Sequence, residues 1–182
     1  MRITLHWAVA CALVSGLFAG CGEEEVTTAA WAEFSALYSF QGGQDSLDQT
    51  LDPADREEVQ ALGAISCAVL DVSESSLALV GFDGQEGEPF NLKAVLLDGA
   101  DQLTLFDWSG TLDADAKVVA LSSSEAGLNQ QAADRIGTIA RGADKSIRVR
   151  YDFESASSPA RADVRVVLRV HMATADGTCP AQ

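Results

Sequence analysis

The sequence predicts a mainly β domain, an antiparallel β-sandwich that is immunoglobulin-like in general shape and carries one or two short helices. An α+β arrangement is the alternative. Three observations point there. Apolar and polar residues alternate with a period of two, most clearly over Ile147–Glu154 and Val164–His171, and that period sends successive side chains to opposite faces of a strand. Turn-forming pieces such as Asp83-Gly84 and Asp98-Gly99 separate the apolar runs, as hairpin and loop connections require. Helical spacing shows only in short stretches.

Taken in order, Phe34 to Phe40 is the first expected strand, with Phe34, Ala36, Tyr38 and Phe40 on one face. Gly42-Gly43 breaks it, and a polar connection rich in Gln, Asp and Ser follows. Asp52-Pro53 has the form of an N-cap and a first-turn proline, ahead of a short helix at Ala54–Leu62 that Gly63 stops. Four apolar runs come next: Ala64–Val72, Ser76–Phe82, Phe90–Leu97 and Gln102–Trp108. They carry a faint internal repeat at an offset of 26, in which Ala68-Val69-Leu70 recurs as Ala94-Val95-Leu96, and Leu77 and Leu79 recur as Leu103 and Leu105. The repeat reads as a strand–turn–strand hairpin present twice, and no third copy supports a propeller or solenoid. Lys117–Leu121 is a short strand. Ser122 to Glu125 offers capping residues, and Leu128, Ala132, Ile136 and Ile139 recur at helical spacing, so residues 125–140 are expected to be a helix ended by Gly142. The last two strands are expected to form an antiparallel hairpin with one buried and one wet face. Asp152 or Glu154 would then meet Arg165 across it.

The N-terminus reads differently. Met1-Arg2 is a minimal positive start, and Ile3 to Phe18 follows without a formal charge, interrupted by His6. Then comes Phe18-Ala19-Gly20-Cys21. This run resembles the lipobox of bacterial lipoproteins, whose common form is Leu-Ala-Gly-Cys; Phe18 stands where Leu is usual. The resemblance covers only the first 21 residues or so. It implies a diacylglyceryl group on the Cys21 thiol, cleavage between Gly20 and Cys21, and a leader at residues 1–20. A simple secretory peptide would need a better small-x-small site than this one. A retained transmembrane helix would need more than a run at the lower limit of about 18 residues, and a following basic stop. Two or more acyl chains hold a protein far better than one, since each buried methylene contributes about 0.8 kcal/mol. Residues 21–30 read as a lipidated tether, and residues 31–182 as a single β-rich domain. Gly22 is not the Asp that signals inner-membrane retention in enterobacteria, so the resemblance leans towards the outer membrane, on its periplasmic or surface side.

Charge narrows the partners. The chain has 12 Lys and Arg against 27 Asp and Glu. Arg2 is the one charged residue before Cys21, so a chain starting at Cys21 has 11 against 27, a net −16. That field repels phosphate backbones and anionic headgroups. Nucleic acid is therefore excluded as a partner, and the acyl chains rather than charge make the membrane contact. The charge is uneven. From Gly22 to Asp134 there are three basic residues against 22 acidic, and from Arg135 onwards eight against five. The two parts are expected to lie side by side and neutralise one another, with a basic face for an acidic partner as the rival reading.

Four cysteines complete the compartment argument. Cys11 leaves with the leader and Cys21 takes lipid. Cys67 and Cys179 remain as an even pair in an oxidising setting, where a disulfide is expected.

Catalytic patterns are sparse. After cleavage the one histidine is His171, read as a surface residue on the wet face of the last hairpin. No Gly-x-Ser-x-Gly or Ser-x-x-Lys frames a serine. Two lone cysteines and one histidine are too few for structural zinc. No phosphate-cradling or dinucleotide fingerprint occurs. The expectation is a non-enzyme. Calcium is the best cofactor candidate, because loop carboxylates supply the hard oxygens it needs; Asp98 with Asp101 and Asp113 with Asp115 are the weak candidate ligands, and solvated turns are the plainer explanation. Trp31, Trp108 and Tyr38 are candidates for a sugar-stacking patch, with core packing the simpler reading. The functional expectation is a membrane-tethered lipoprotein presenting a non-catalytic β domain to an envelope protein partner, with a calcium- or glycan-binding module as the alternative.

Overall fold

A computed structural model describes residues 28–113, 115, 117–142, 146–156 and 161–179. The leader and Cys21 lie outside the described residues. Nine strands run as β1 (Ala29–Gln41), β2 (Gln44–Leu51), β3 (Cys67–Leu70), β4 (Ser76–Asp83), β5 (Pro89–Asp98), β6 (Asp101–Thr111), β7 (Lys117–Ala120), β8 (Ile147–Ser155) and β9 (Arg161–Ala173). Two helices, α1 (Glu57–Gln60) and α2 (Gln130–Arg141), accompany them. Ala29 and Ala30 already belong to β1, so the folded domain starts inside the segment read as tether.

The strands form two antiparallel sheets. Sheet A has the order β1-β9-β4-β7 with β3 also on β9, and sheet B has the order β2-β8-β5-β6. The mainly β sandwich expected from the alternation is present. The pairings nest like a folded hairpin: β1 with β9, β2 with β8, β4 with β7, β5 with β6. The innermost turn is Gly99-Ala100, where Asp98 faces Asp101 and Gly99 takes φ +61°, as a two-residue hairpin turn demands. Rolling this long hairpin up adds the β9–β4 and β8–β5 ladders. That connectivity is a jelly roll. The likeness to an immunoglobulin domain therefore stops at general shape, because its sheets have different strand orders.

Three local expectations need correction. The polar connection after Gly43 is strand β2, paired with β8 from Gln44 to Leu51. An edge strand keeps one face in water, so Ser46, Asp48 and Thr50 are exposed, and the thin apolar phase of Leu47 and Leu51 left no clear alternation. The last two strands do not form a hairpin: β8 lies in sheet B and β9 in sheet A. Consequently Arg165 faces Leu37 and Ala78 rather than Asp152 or Glu154. The apparent repeat also fails as two hairpins. β5 and β6 pair, whereas β3 and β4 lie end to end along β9, interrupted at Asp71–Ser75.

Helix starts moved too. The α1 region is a 3-10 turn at Pro53–Asp55 followed by one turn of α-helix, and Asp52 accepts a hydrogen bond from Ser146 Oγ at 3.0 Å instead of capping. The expected 125–140 helix is split. Ser123 caps a 3-10 turn, Gly127 at φ +61° stops it, and Asn129 caps α2 by accepting from the Ala132 N–H. Gly142 ends α2 as expected.

The core lies between the sheets. β1 sends in Ala32, Phe34, Tyr38 and Phe40, and β9 sends in Val164, Val166, Leu168 and Val170. A Phe, Val or Leu side chain fully buried there contributes about 1.5–3 kcal/mol against exposure. Phe153 links the layers, stacking on Phe40 at 5.1 Å and on Phe90 at 5.9 Å. Phe90 meets Trp108 edge-on at 4.9 Å. α2 closes the side between β3 and β6, burying Ala132, Ala133, Ile136 and Ala140. Its approach to β3 requires Gly137, where a Cβ would collide with the Ala68 carbonyl oxygen.

Candidate interaction face

β9 lies inside sheet A, so its outward residues are framed on both sides. Arg161, Asp163, Arg165, Val167, Arg169 and His171 alternate with the buried set and point away from the core. Arg165 faces Leu37 on β1 and Ala78 on β4, and Ala78 faces Val118 on β7. The row Leu37–Arg165–Ala78–Val118 therefore crosses the whole sheet. Leu37 is 53% exposed and Val118 68%. The other exposed large hydrophobics among the described residues, Val80 and Trp31, also lie on sheet A strands.

The three arginines of this face differ in their partners. Arg161 pairs with Asp163 at 2.7 Å, and Ser39 donates to the same carboxylate at 2.6 Å. The Arg161 hydrogen bond holds the Asp163 carboxyl below the usual range. Arg169 spans Glu33 at 2.7 Å and Glu74 at 3.1 Å, and lies over the Trp31 ring at 5.8 Å. Arg165 has no ion pair or hydrogen bond among the described residues. Arg56, Arg141 and Arg148 likewise pair with no carboxylate among the described residues, so what marks Arg165 is its place in the row between exposed Leu37 and Val118.

Sheet B presents a different outer surface. Ser46, Asp152, Lys93 and Asp107 form its corresponding row. Ser46 donates to Asp152 at 2.6 Å, and Arg150 pairs with the same carboxylate at 3.2 Å. Asn91 donates to Asp107, while Lys93 has no ion pair or hydrogen bond among the described residues, so this row is polar throughout, as a solvated face is.

Other sequence-derived sites fall as follows. Cys67 and Cys179 are disulfide-bonded, with Cα atoms 6.3 Å apart across 112 residues. The bridge ties β3 to the tail after β9. Asp98 pairs with Arg135, and Asp113 accepts from the Asp115 N–H at 3.1 Å. Neither carboxylate pair joins a cluster: among the described residues no group of three His, Cys, Asp or Glu converges as a metal site. The aromatic trio is not brought together. Trp108 is 1% exposed and Tyr38 8%, while Trp31 stands outside at 44%. His171 is buried rather than wet, at 6% exposure, because Trp31 covers it with ring centroids 4.3 Å apart. The basic residues of the C-terminal part do not share a face, since Arg148 and Arg150 lie on sheet B and Arg161, Arg165 and Arg169 on sheet A.

No family model matches the chain. No curated protein matches it either. Among solved structures it is similar to a chain from infectious bursal disease virus, Gx strain, at 11% identity and TM-score 0.36, over 93% of this chain and 37% of that one. The chain thus spans little more than a third of that relative. It is also similar to Desmodium yellow mottle tymovirus, at 8% identity and TM-score 0.31, over 97% and 99% of the two chains. A third is the empty head of turnip yellow mosaic virus, at 9% identity and TM-score 0.26, over 100% and 95%. Scores this low carry nothing about function.

Sequence reasoning did not find the Leu37–Arg165–Ala78–Val118 row. A signal was present: Leu37 breaks the outward phase of Glu33, Ser35 and Ser39, and Val118 sits beside Lys117 on a short edge strand. Which strands lie beside β9 was the missing fact.

Proposed function

We propose that this chain is a membrane-tethered, non-catalytic lipoprotein whose β-sandwich presents the outer face of sheet A to a protein partner in the cell envelope. Lipid on Cys21 holds it outside the cytoplasm. The supporting observation is the row in which exposed Leu37 and Val118 flank Arg165, which has no ion pair among the described residues. Exposed apolar surface gathered on one face marks an interaction site more than the same residues scattered singly. The partner therefore offers an apolar surface with a carboxylate aimed at Arg165. Burial of His171 against Trp31 supports the non-catalytic reading, because a general base has to reach its substrate.

The test is site-specific photo-crosslinking in the native envelope from position 118 on sheet A and from position 93 on sheet B. A product from position 118 that Arg165→Glu abolishes, and none from position 93, is the expected result. Equal products from both positions, or one indifferent to Arg165→Glu, would overturn the reading.

A further inference from the structure

The sandwich stays open where β1 and β2, the edge strands of the two sheets, run past each other. A cleft of about 410 Å3 enters there, within the size range of small-ligand sites, about 300–1,000 Å3. Phe34, Tyr38 and Tyr151 give it aromatic walls, and Gln49, Asp55 and Arg56 line its rim.

Tyr38 and Tyr151 stand side by side, with ring centroids 4.6 Å apart and each phenol next to the other. Two hydroxyls with only each other as partner can use at most one of their two protons. One O–H donor is left over, and no second partner meets it among the described residues. Both rings are more than nine-tenths buried, Tyr38 at 8% exposure and Tyr151 at 1%. Arg56 lies over the Phe34 ring, 5.1 Å from its centroid, and pairs with no carboxylate among the described residues. The Asp55 carboxylate accepts no hydrogen bond there either. Asp55 and Arg56 are exposed and hydrated at the rim, so hydrogen-bonding groups of both kinds border the same space as aromatic carbon.

These groups select a ligand by elimination. Asp52 and Asp55 are too few for a metal site. An anion meets both carboxylates and a net charge of −15. A wholly apolar ligand would cover the buried phenols without offering them a partner. A neutral ring bearing several hydroxyls meets every requirement, since hydroxyls donate and accept and the C–H face of the ring suits aromatic carbon. We propose that the β1–β2 cleft binds a neutral saccharide. Tyr38, Asp55 and Arg56 form the hydrogen-bonding set, and the edges of Phe34 and Tyr38 form the apolar contact.

The test titrates the full chain, purified in detergent, with a panel of neutral hexoses and their disaccharides, read by NMR shifts of Tyr38 and Arg56. Saturable shifts with at least one sugar are expected. Tyr38→Phe keeps the ring and its packing and should weaken binding about fivefold, the size of one net hydrogen bond. Arg56→Ala should weaken it as well, and Val118→Ser on the sheet A face should leave it unchanged. No saturable shift with any sugar at up to tens of millimolar overturns the proposal. So does binding that neither cleft substitution weakens, or binding confined to anionic sugars. The cleft shares no residue with the Leu37–Arg165–Ala78–Val118 row, so failure here leaves the interaction face standing.

Discussion

Trp31 and His171 face each other across the β1–β9 ladder and stack with ring centroids 4.3 Å apart. Burial under that ring pushes the His171 pKa below its ordinary value, and the nearby Asp71 carboxylate pulls the other way without cancelling it. The folded chain therefore refuses a proton that the unfolded chain accepts. Stability should fall as pH drops below about 6.5, the ordinary histidine value. His171→Phe keeps a ring against Trp31 and removes the titration. Urea midpoints at about pH 7.5 and about pH 5.5 should then differ less in the variant than in the wild type. An equal drop in both would contradict a buried neutral histidine.

Carboxylates act in a separate window. Burial pushes the Asp71 carboxyl up, but hydrogen bonds from Ser73 and from the Glu74 N–H outweigh it and hold it below the usual range. The Arg161 hydrogen bond does the same for Asp163. Their stabilisation is present above about pH 4 and is lost as pH falls through the lowered values. Asp71→Asn should leave the midpoint drop between about pH 7.5 and about pH 5.5 largely intact and shrink the one below about pH 4.

The Cys67–Cys179 bridge closes 112 residues. In the chain-entropy picture a loop of that size limits the unfolded chain by up to about 4.7 kcal/mol. A reductant, or the paired Cys67→Ser and Cys179→Ser substitutions, should lower the urea midpoint without changing the native fold. A midpoint unmoved by reduction would mean that the tail after β9 contributes nothing to stability.

Gly137 faces the Ala68 carbonyl across the α2–β3 contact. Alanine is the better helix former by about 1 kcal/mol, yet its Cβ has no room. Gly137→Ala should therefore destabilise by about 1–3 kcal/mol, as overpacking does. A thermal midpoint equal to or above wild type would place α2 farther from β3.

Calcium should leave the thermal midpoint where it is. Asp98 is engaged by Arg135, and Asp113 by the Asp115 N–H. A rise with added calcium, reversed by a chelator, would reveal a site these carboxylates do not form among the described residues.

How much of this was legible in the sequence depended on range. Alternation in Phe34–Phe40 and Val164–His171 is a local property, and both segments are strands. Asp98-Gly99 encodes its own turn, and the β5–β6 hairpin follows. The partner of each strand is not local. Ile147–Glu154 and Val164–His171 looked like neighbours because they are consecutive and equally patterned, yet each buries its apolar side against the other's sheet. β2 is hard to read because an edge strand can be largely polar, with only Leu47 and Leu51 as its apolar residues. The cysteine pair was readable because, with the leader removed and Cys21 set aside, two thiols remain. The candidate face needed β1, β9, β4 and β7 side by side, and the cleft needed Tyr38 beside Tyr151, 113 positions apart. Neither adjacency is written in any short run of residues.

Membrane attachment through Cys21 is the claim on which the proposed compartment and partner both depend. The direct measurement is the intact mass and membrane partition of the chain purified from its native host, beside a Cys21→Ser variant. A mature chain starting at Cys21 with two or three acyl groups, and release of the variant from the membrane, is the expected result. An unlipidated chain starting elsewhere would contradict it, and the domain would then be a free secreted protein.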